Sequence, residues 1–395
     1  MKDRMTREVI NYLYKHCLIG RKDRQMIHLI YQTVREKVNI LGEQSTFLFF
    51  LSRDRKDFRE QFQMICDSCR EDKCMLQAEI RNEWNFCNIG RIMKAMLMYL
   101  KGRRVLKRNR NYQGLSLTDW FWISMMYARY EMYQKAFAKF DFSHSKFLVT
   151  YGEWMPEVAA LSYANSQGLT TIVNVQGMYS LVEKRQYPNY PKVVFVWGER
   201  DKKLLYQNRP DMKIYVCGTP QIRRLHIQEE TQLLGIALGA HENHRYNQKI
   251  IDIAEEYARK YGMKIRLRLH PGDNIKEYRI DYRISEENRD LDRTKFVIVH
   301  KTTMCITYMR QGKLVCAYEA EKDEMNLKID PRFFFHDLIS LEQAVARNQG
   351  YDFISYATSF IRYIDDDAVK EYGKIFHMLN EKIGVAENKK CGGGY

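Results

Sequence analysis

Apolar residues fall along this chain in two alternating patterns. Short runs rich in Val, Ile, Leu and aromatics, bounded by Gly, Pro or charge, alternate with longer stretches where apolar residues recur every three or four positions. The first pattern predicts strands buried in a parallel sheet, the second predicts amphipathic helices. Strands are predicted at Thr46–Ser52, Phe147–Tyr151, Thr170–Val175, Lys192–Trp197 and Met212–Cys217, then at Leu233–Leu238, Lys264–Leu269, Lys295–His300 and Lys313–Tyr318. Helices are predicted over Lys56–Arg70, Pro156–Gln167 (stopped by Gly168), Arg200–Tyr206, Asn247–Tyr261, Thr302–Arg310 and about Asp365–Ile383. Residues 1–44 read as two helices split around Gly20. The class is therefore α/β, with two Rossmann-like lobes and a helical N-terminal extension. Boundaries are expected at 1–44, 45–228 and 229–395, the last including a terminal helix.

The stretch 264–316 organises the second lobe. His270-Pro271 and His300-Lys301-Thr302-Thr303 fall at the carboxyl ends of two predicted strands, the edge where ligands bind in open α/β sheets. Thr302 and Thr303 also open a helix, whose free N–H groups and dipole favour phosphate. As helix caps alone, the same two hydroxyls would need no ligand.

Charge narrows the partners. With 64 Lys and Arg against 49 Asp and Glu, the net charge is +15, which points to nucleic acid, phosphorylated substrates or an acidic membrane face. Hydrophobic content of 45% and aromatic content of 13% exclude a disordered chain. No apolar run is long enough to span a membrane, and the charged start, MKDRMTREVINYLYKHC, does not read as a secretory signal. Nine scattered cysteines do not suggest a disulfide framework, so a cytoplasmic setting is expected.

Two local features carry competing readings. Cys66, Cys69, Cys74 and Cys87 have spacings open to a thiolate zinc site, or else pack as small hydrophobes; no second CxxC or paired His supports the metal. Residues 101–110 (KGRRVLKRNR) place Arg103, Arg104, Lys107, Arg108 and Arg110 just before an aromatic-rich stretch from Thr118. This suits the inner face of an anionic membrane or an acidic acceptor; a nucleic-acid patch, or a solvated loop before a core helix, are the other readings. No zinc-finger or RNP pattern accompanies it, so nucleic acid is not the expected partner.

The order of motifs adds a further reading. Gly152-Glu153 after a strand, an alanine-rich helix ending in Gly, Gln176-Gly177, VFVWGE with its helix, VCGTP, LHP and strand-Lys-Thr-Thr-helix with GKLV follow one another. Over roughly residues 146–320 this resembles the GT-B glycosyltransferase-like proteins of bacterial surface polysaccharide synthesis, which make capsule, polysialic acid and teichoic acid. The resemblance implies a nucleotide-activated donor, favouring a CMP- or CDP-linked one, and a glycan or glycolipid acceptor. It implies that His270 contacts the donor nucleotide or its phosphate and that Thr302 and Thr303 bind that phosphate. Relatives often have Gln-His-Gly where this chain has Gln176-Gly177, so these two residues are expected on the acceptor side of the cleft without a His base at that strand end.

Transfer to a hydroxyl needs stabilisation of the leaving phosphate and removal of the acceptor proton. His270, Lys301, Thr302 and Thr303 suit the first task without a metal or other cofactor. Glu153 is the expected base; a solvated glutamate is the plain alternative. His241, His244 and Arg245, in the loop GAHENHRY, are expected to border the phosphate, unless that loop is only a polar turn. Glu319 is expected at the ribose. The rival activity on this fold is sugar-nucleotide epimerisation, which needs no polymer acceptor.

Overall fold

The computed structural model describes residues 33, 35–52, 55–82, 89–90, 92–93, 97, 117–175, 177–181, 191–223, 230–239, 244–270, 273–288, 290–320 and 327–391. The chain divides into two compact units, residues 1–174 with 188–194 and residues 175–187 with 195–395.

The first sheet contains β1 (Glu36–Leu41), β2 (Phe47–Phe50), β3 (Lys73–Asn82), β4 (Phe147–Tyr151), β5 (Thr170–Asn174), β6 (Val193–Val196) and β7 (Lys213–Val216). Their order is β1-β3-β2-β4-β5-β6-β7. β3, β2, β4 and β5 run parallel, and β1 closes the edge antiparallel to β3. All four residues of β2 are buried, as a strand covered on both faces requires. The rings of Phe47 and Phe147 stack across the β2–β4 pair with centroids 4.2 Å apart. β1 lies inside the stretch expected as helical; Val38 and Ile40 alternate with Lys37 and Asn39, a period of two that suits an edge strand. Residues 1–32 lie outside the described residues.

Helix α1 (Lys56–Ser68) follows β2, and α2 (Leu117–Phe137) and α3 (Met155–Ser166) pack on one sheet face. The buried side chains of α2, from Ile123 and Met125 through Tyr130, Met132 and Tyr133 to Phe137, run round the helix rather than along one stripe. Such a helix belongs to a core. Among the described residues no helix is long and apolar enough to cross a membrane. Cys66 and Cys69 are buried, and burial pushes their thiols up to about 12 and about 11, which keeps them neutral. Cys87 lies outside the described residues.

Helix α4 (Glu199–Asn208) separates β6 from β7. The second sheet contains β8 (Glu230–Ala237), β9 (Lys264–Arg268), β10 (Ser285–Glu287), β11 (Thr294–Val299), β12 (Leu314–Tyr318) and β13 (Phe334–Phe335). All neighbours are parallel, in the order β10-β9-β8-β11-β12-β13. Counted along the chain this is the Rossmann order, reversing between β8 and β11. The expected class, α/β with two Rossmann-like sheets, is what the structure has. Helix α5 (His244–Tyr261) turns Ile250, Ile251, Ala254 and Ala258 onto Leu234, Ile236, Ile265 and Leu267. Helices α6 (Met304–Arg310), α7 (Leu338–Asn348), α8 (Phe353–Thr358) and α9 (Asp365–Cys391) complete this part of the chain. Lys313, fully buried before β12, donates to the carbonyls of Asp292 (2.7 Å) and Thr294 (2.5 Å) and so ties the start of β12 to that of β11.

Residues 359–364 run past the ends of β6 and β7. Arg362 N–H donates to the Trp197 carbonyl, Arg200 N–H to that of Ser359, and Thr219 N–H to that of Tyr363. From there α9 places Tyr372 and Phe376 against Phe195.

Candidate functional site

The reversal in the second sheet lies between β8 and β11, and their carboxyl ends carry a connected set of polar groups. Leu238 and Gly239 follow β8; His300, Lys301, Thr302 and Thr303 follow β11. His300 is fully buried, its N–H donating to the Ala237 carbonyl at 3.2 Å. Its ring stands edge-on to Tyr246 and Tyr318, with centroids 5.8 and 5.7 Å away. Asn247, also fully buried in the first turn of α5, bridges the edge. Its amide nitrogen donates to the Gly239 carbonyl (3.0 Å) and to the Tyr278 hydroxyl (3.1 Å), and its Oδ1 lies 3.1 Å from His300 Nδ1. Tyr278 donates in turn to Asp273 Oδ2 at 2.9 Å, and Asp273 N–H donates to the His270 carbonyl at 2.9 Å. Burial pushes the Tyr278 phenol up to about 12, so it keeps its proton and remains a donor. The two histidines expected at strand ends are thus joined through Asp273, Tyr278 and Asn247.

Lys301 adopts a left-handed conformation, φ 46°, at the step from β11 to α6. Non-glycine residues hold that conformation at a cost, and it concentrates at functional turns. The Lys301 ammonium lies 5.8 Å from the Tyr246 ring centroid. Thr302 Oγ1 accepts from Met304 N–H at 3.2 Å, whereas Thr303, at the helix cap, makes no side-chain cap bond. One hydroxyl of the expected pair is therefore a cap, and α6 spans seven residues. His270 is exposed just past β9, Glu319 is exposed just past β12, and Arg245 is exposed on α5. His244 is turned elsewhere: its ring stacks on Tyr278 and its Nε2 donates to the Glu277 carbonyl at 2.8 Å.

In the first unit, Glu153 follows Gly152, whose φ of 80° turns the chain out of β4. β2 and β4 flank the corresponding reversal of that sheet. Here a second carboxylate appears: Glu157, fully buried in the first turn of α3, accepts from Ser52 N–H at 2.7 Å. Tyr151 Oη donates to Gln61 Oε1 beneath it, and burial raises that phenol far above its ordinary value. Gly177 (φ 81°) leads into a turn pinned by Asp201 on α4, which accepts from Ser180 N–H at 2.7 Å. His241, Gln176, Arg103, Arg104, Lys107, Arg108 and Arg110 lie outside the described residues.

Asn247 and Glu157 escaped the sequence reading, yet both left a signal. Asn247 stands on the apolar stripe continued by Ile250, Ile251, Ala254 and Ala258, and Glu157 on the one continued by Ala160, Leu161 and Ala164. A polar residue where the helical period demands an apolar one marks a buried hydrogen-bonding role.

No family model matches the chain, and no curated protein matches it. Among solved structures it is similar to UDP-GlcNAc 2-epimerase from Neisseria meningitidis bound to UDP-GlcNAc, at 12% identity over 85% of this chain and 99% of that one, TM-score 0.45. It is similar also to UDP-GlcNAc 2-epimerase from Methanocaldococcus jannaschii in complex with UDP-GlcNAc and UDP, at 13% identity over 65% and 81%, TM-score 0.45. A third is the pneumococcal O-GlcNAc transferase GtfA in complex with UDP and GlcNAc, at 9% identity over 59% and 56%, TM-score 0.39.

Proposed function

We propose that this chain is a GT-B-like enzyme that transfers a sugar or polyol-phosphate from a nucleotide-activated donor to a hydroxyl of a glycan or glycolipid acceptor. The observation that carries the reading is the polar edge at the reversal point between β8 and β11, where His300, Lys301, Thr302 and Thr303 end one strand and Gly239 the other. Ligands of open α/β sheets bind in that crevice, and backbone N–H groups beside a cation suit a phosphate there. The order of motifs from Gly152-Glu153 to Lys313 supports a donor of the nucleotide-sugar class.

In this reading Lys301, Thr303 and His270 hold the donor phosphates, with Arg245 at their rim and Glu319 at the ribose. Glu153 takes the proton of the acceptor hydroxyl. The acceptor oxygen then bonds to the donor carbon or phosphorus as the bond to the nucleotide breaks, and the negative charge left on the nucleotide is what the cationic edge stabilises. Thermal-shift screening of the full chain against CMP-, CDP-, UDP- and GDP-linked compounds tests the donor site. One nucleotide class should raise the melting temperature by mass action, and no response to any class would sink the reading. Product analysis with the responding donor then separates transfer from epimerisation: an isomerised donor formed without acceptor would replace the transferase by the epimerase.

A further inference from the structure

We infer that Asp273, Tyr278 and Asn247 form a positioning relay that holds His300 in one tautomer and thereby sets the Lys301–Thr303 turn on which the donor phosphate is proposed to rest. The inference builds on that reading of the site. Its direction follows from hydrogen-bond chemistry. The Gly239 carbonyl can only accept, so the NH2 of Asn247 faces it, at 3.0 Å. The second amide hydrogen goes to Tyr278 Oη at 3.1 Å. Asn247 Oδ1 is then the atom facing His300, and Nδ1 of that ring, 3.1 Å away, carries the proton. Tyr278, having accepted from Asn247, gives its own proton to Asp273 Oδ2 at 2.9 Å. Each donor in the series His300, Asn247, Tyr278 points the same way and ends on a carboxylate, so each bond polarises the next.

The cost of this arrangement argues for a purpose. Asn247 and His300 are fully buried and Tyr278 is 5% exposed, at positions where apolar residues would pack without any need for partners. What the relay gains is the tying together of three strand ends: Gly239 after β8, His300 after β11, and the turn after β9, whose Asp273 N–H also holds the His270 carbonyl at 2.9 Å. With the His300 ring fixed by Asn247 and boxed edge-on by Tyr246 and Tyr318, the next residue turns left-handed at φ 46°. The relay thus acts through Lys301 and Thr303 and touches no ligand itself.

Three measurements on the full-length protein test this. Nitrogen-15 correlation of the His300 ring should find the proton on Nδ1. His300→Asn places an amide N–H where Nδ1 stood and should bind the responding nucleotide within about twofold of wild type, whereas His300→Leu and Tyr278→Phe should each weaken it about tenfold, the order expected for a lost buried hydrogen bond. Tyr278→Phe keeps the ring stacked on His244, and its ligand-free melting temperature reports whether the fold survives. A proton on Nε2 alone overturns the relay. The expected tautomer with wild-type nucleotide affinity in His300→Leu and Tyr278→Phe overturns the positioning role and leaves the donor site standing. Wild-type protein that binds none of the four nucleotide classes removes the donor site, and the positioning role with it.

Discussion

A methyl group on Gly198 would overlap the backbone carbonyl of Phe360. The same holds for Gly218 and the carbonyl of Tyr363, with the added constraint that Gly218 has φ 72°. The glycines of the VWGE and VCGTP motifs therefore serve the packing of residues 359–364 against the ends of β6 and β7. Because the obstructing atoms are backbone, they cannot swing aside. Gly198→Ala should cost about 1–3 kcal/mol by overpacking, and Gly218→Ala about 1–2 kcal/mol more for its left-handed backbone. Gly262, at φ 66° with open space around it, is the control and should cost only the backbone part. Hydrogen exchange at the Arg362 and Thr219 amides, which bond across this junction, reads the effect locally. Unchanged protection in Gly198→Ala would refute the packing argument.

Lys301→Gly should separate stability from binding. The left-handed backbone of Lys301 costs about 1–2 kcal/mol, against about 0.5–1 kcal/mol of extra chain entropy for glycine. The variant should melt at or slightly above the wild-type temperature while its nucleotide affinity falls. Lower stability with intact affinity would make Lys301 a structural residue and remove it from the donor site.

The strands and the strand ends were largely legible in the sequence. β4 matches its expected bounds, and β9, β11 and β12 differ by a residue or so at an end, because buried parallel strands leave short apolar runs between breakers. β3 has no counterpart among the expected strands: Lys73–Asn82 pairs parallel with β2 over one half and antiparallel with β1 over the other, and its charged, half-exposed edge dilutes the pattern. α7 and α8 have no counterpart among the expected helices, although Asp337 and Asp352 cap them in ordinary fashion. At the site, His270 and the residues after β11 stood out because Pro and strand-end chemistry mark them. Asn247, Tyr278 and Asp273 did not, because their meaning lies in distances between elements that one-dimensional spacing does not contain.

Lys313→Met should destabilise the second sheet. Methionine fills the same volume, so packing is nearly kept, but the carbonyls of Asp292 and Thr294 lose their charged donor. Leaving buried carbonyls without a donor costs about 1–3 kcal/mol each. Denaturant unfolding followed by fluorescence checks this. A change below about 1 kcal/mol would mean that water replaces the ammonium.

The basic run at 101–110 is preceded by Ile89, Met93 and Leu97, exposed by 41, 54 and 56% and spaced four apart, with residues 89–90, 92–93 and 97 helical. An apolar stripe beside clustered Lys and Arg is the composition of an interfacial helix, each basic residue contributing about 1 kcal/mol at an anionic surface. Membrane association is accordingly a proposal with two separable parts. Neutralising Arg103, Arg104, Lys107, Arg108 and Arg110 should abolish co-sedimentation with phosphatidylserine vesicles at low salt. Met93→Glu with Leu97→Glu should weaken it even at full charge. Wild-type protein that stays in the supernatant with anionic vesicles ends the proposal.

His270 is the decisive single test of the donor site. It follows β9, the neighbour of β8, and Pro271 forbids the chain from continuing as a helix, so the backbone must turn at the sheet's carboxyl edge. Its carbonyl accepts from Asp273 N–H, which ties its backbone to the relay that holds His300. In the proposed reading the imidazole donates to a phosphate oxygen, and the bond strengthens as the departing phosphate gains charge. The loss in His270→Ala should therefore fall mainly on kcat, by roughly 100-fold or about 2.7 kcal/mol, as for removal of one preorganised donor. His270→Asn, which keeps an N–H, should recover part of it. Normal turnover in a folded His270→Ala protein would show that the imidazole is a loop residue, and would move the leaving-group site away from the end of β9.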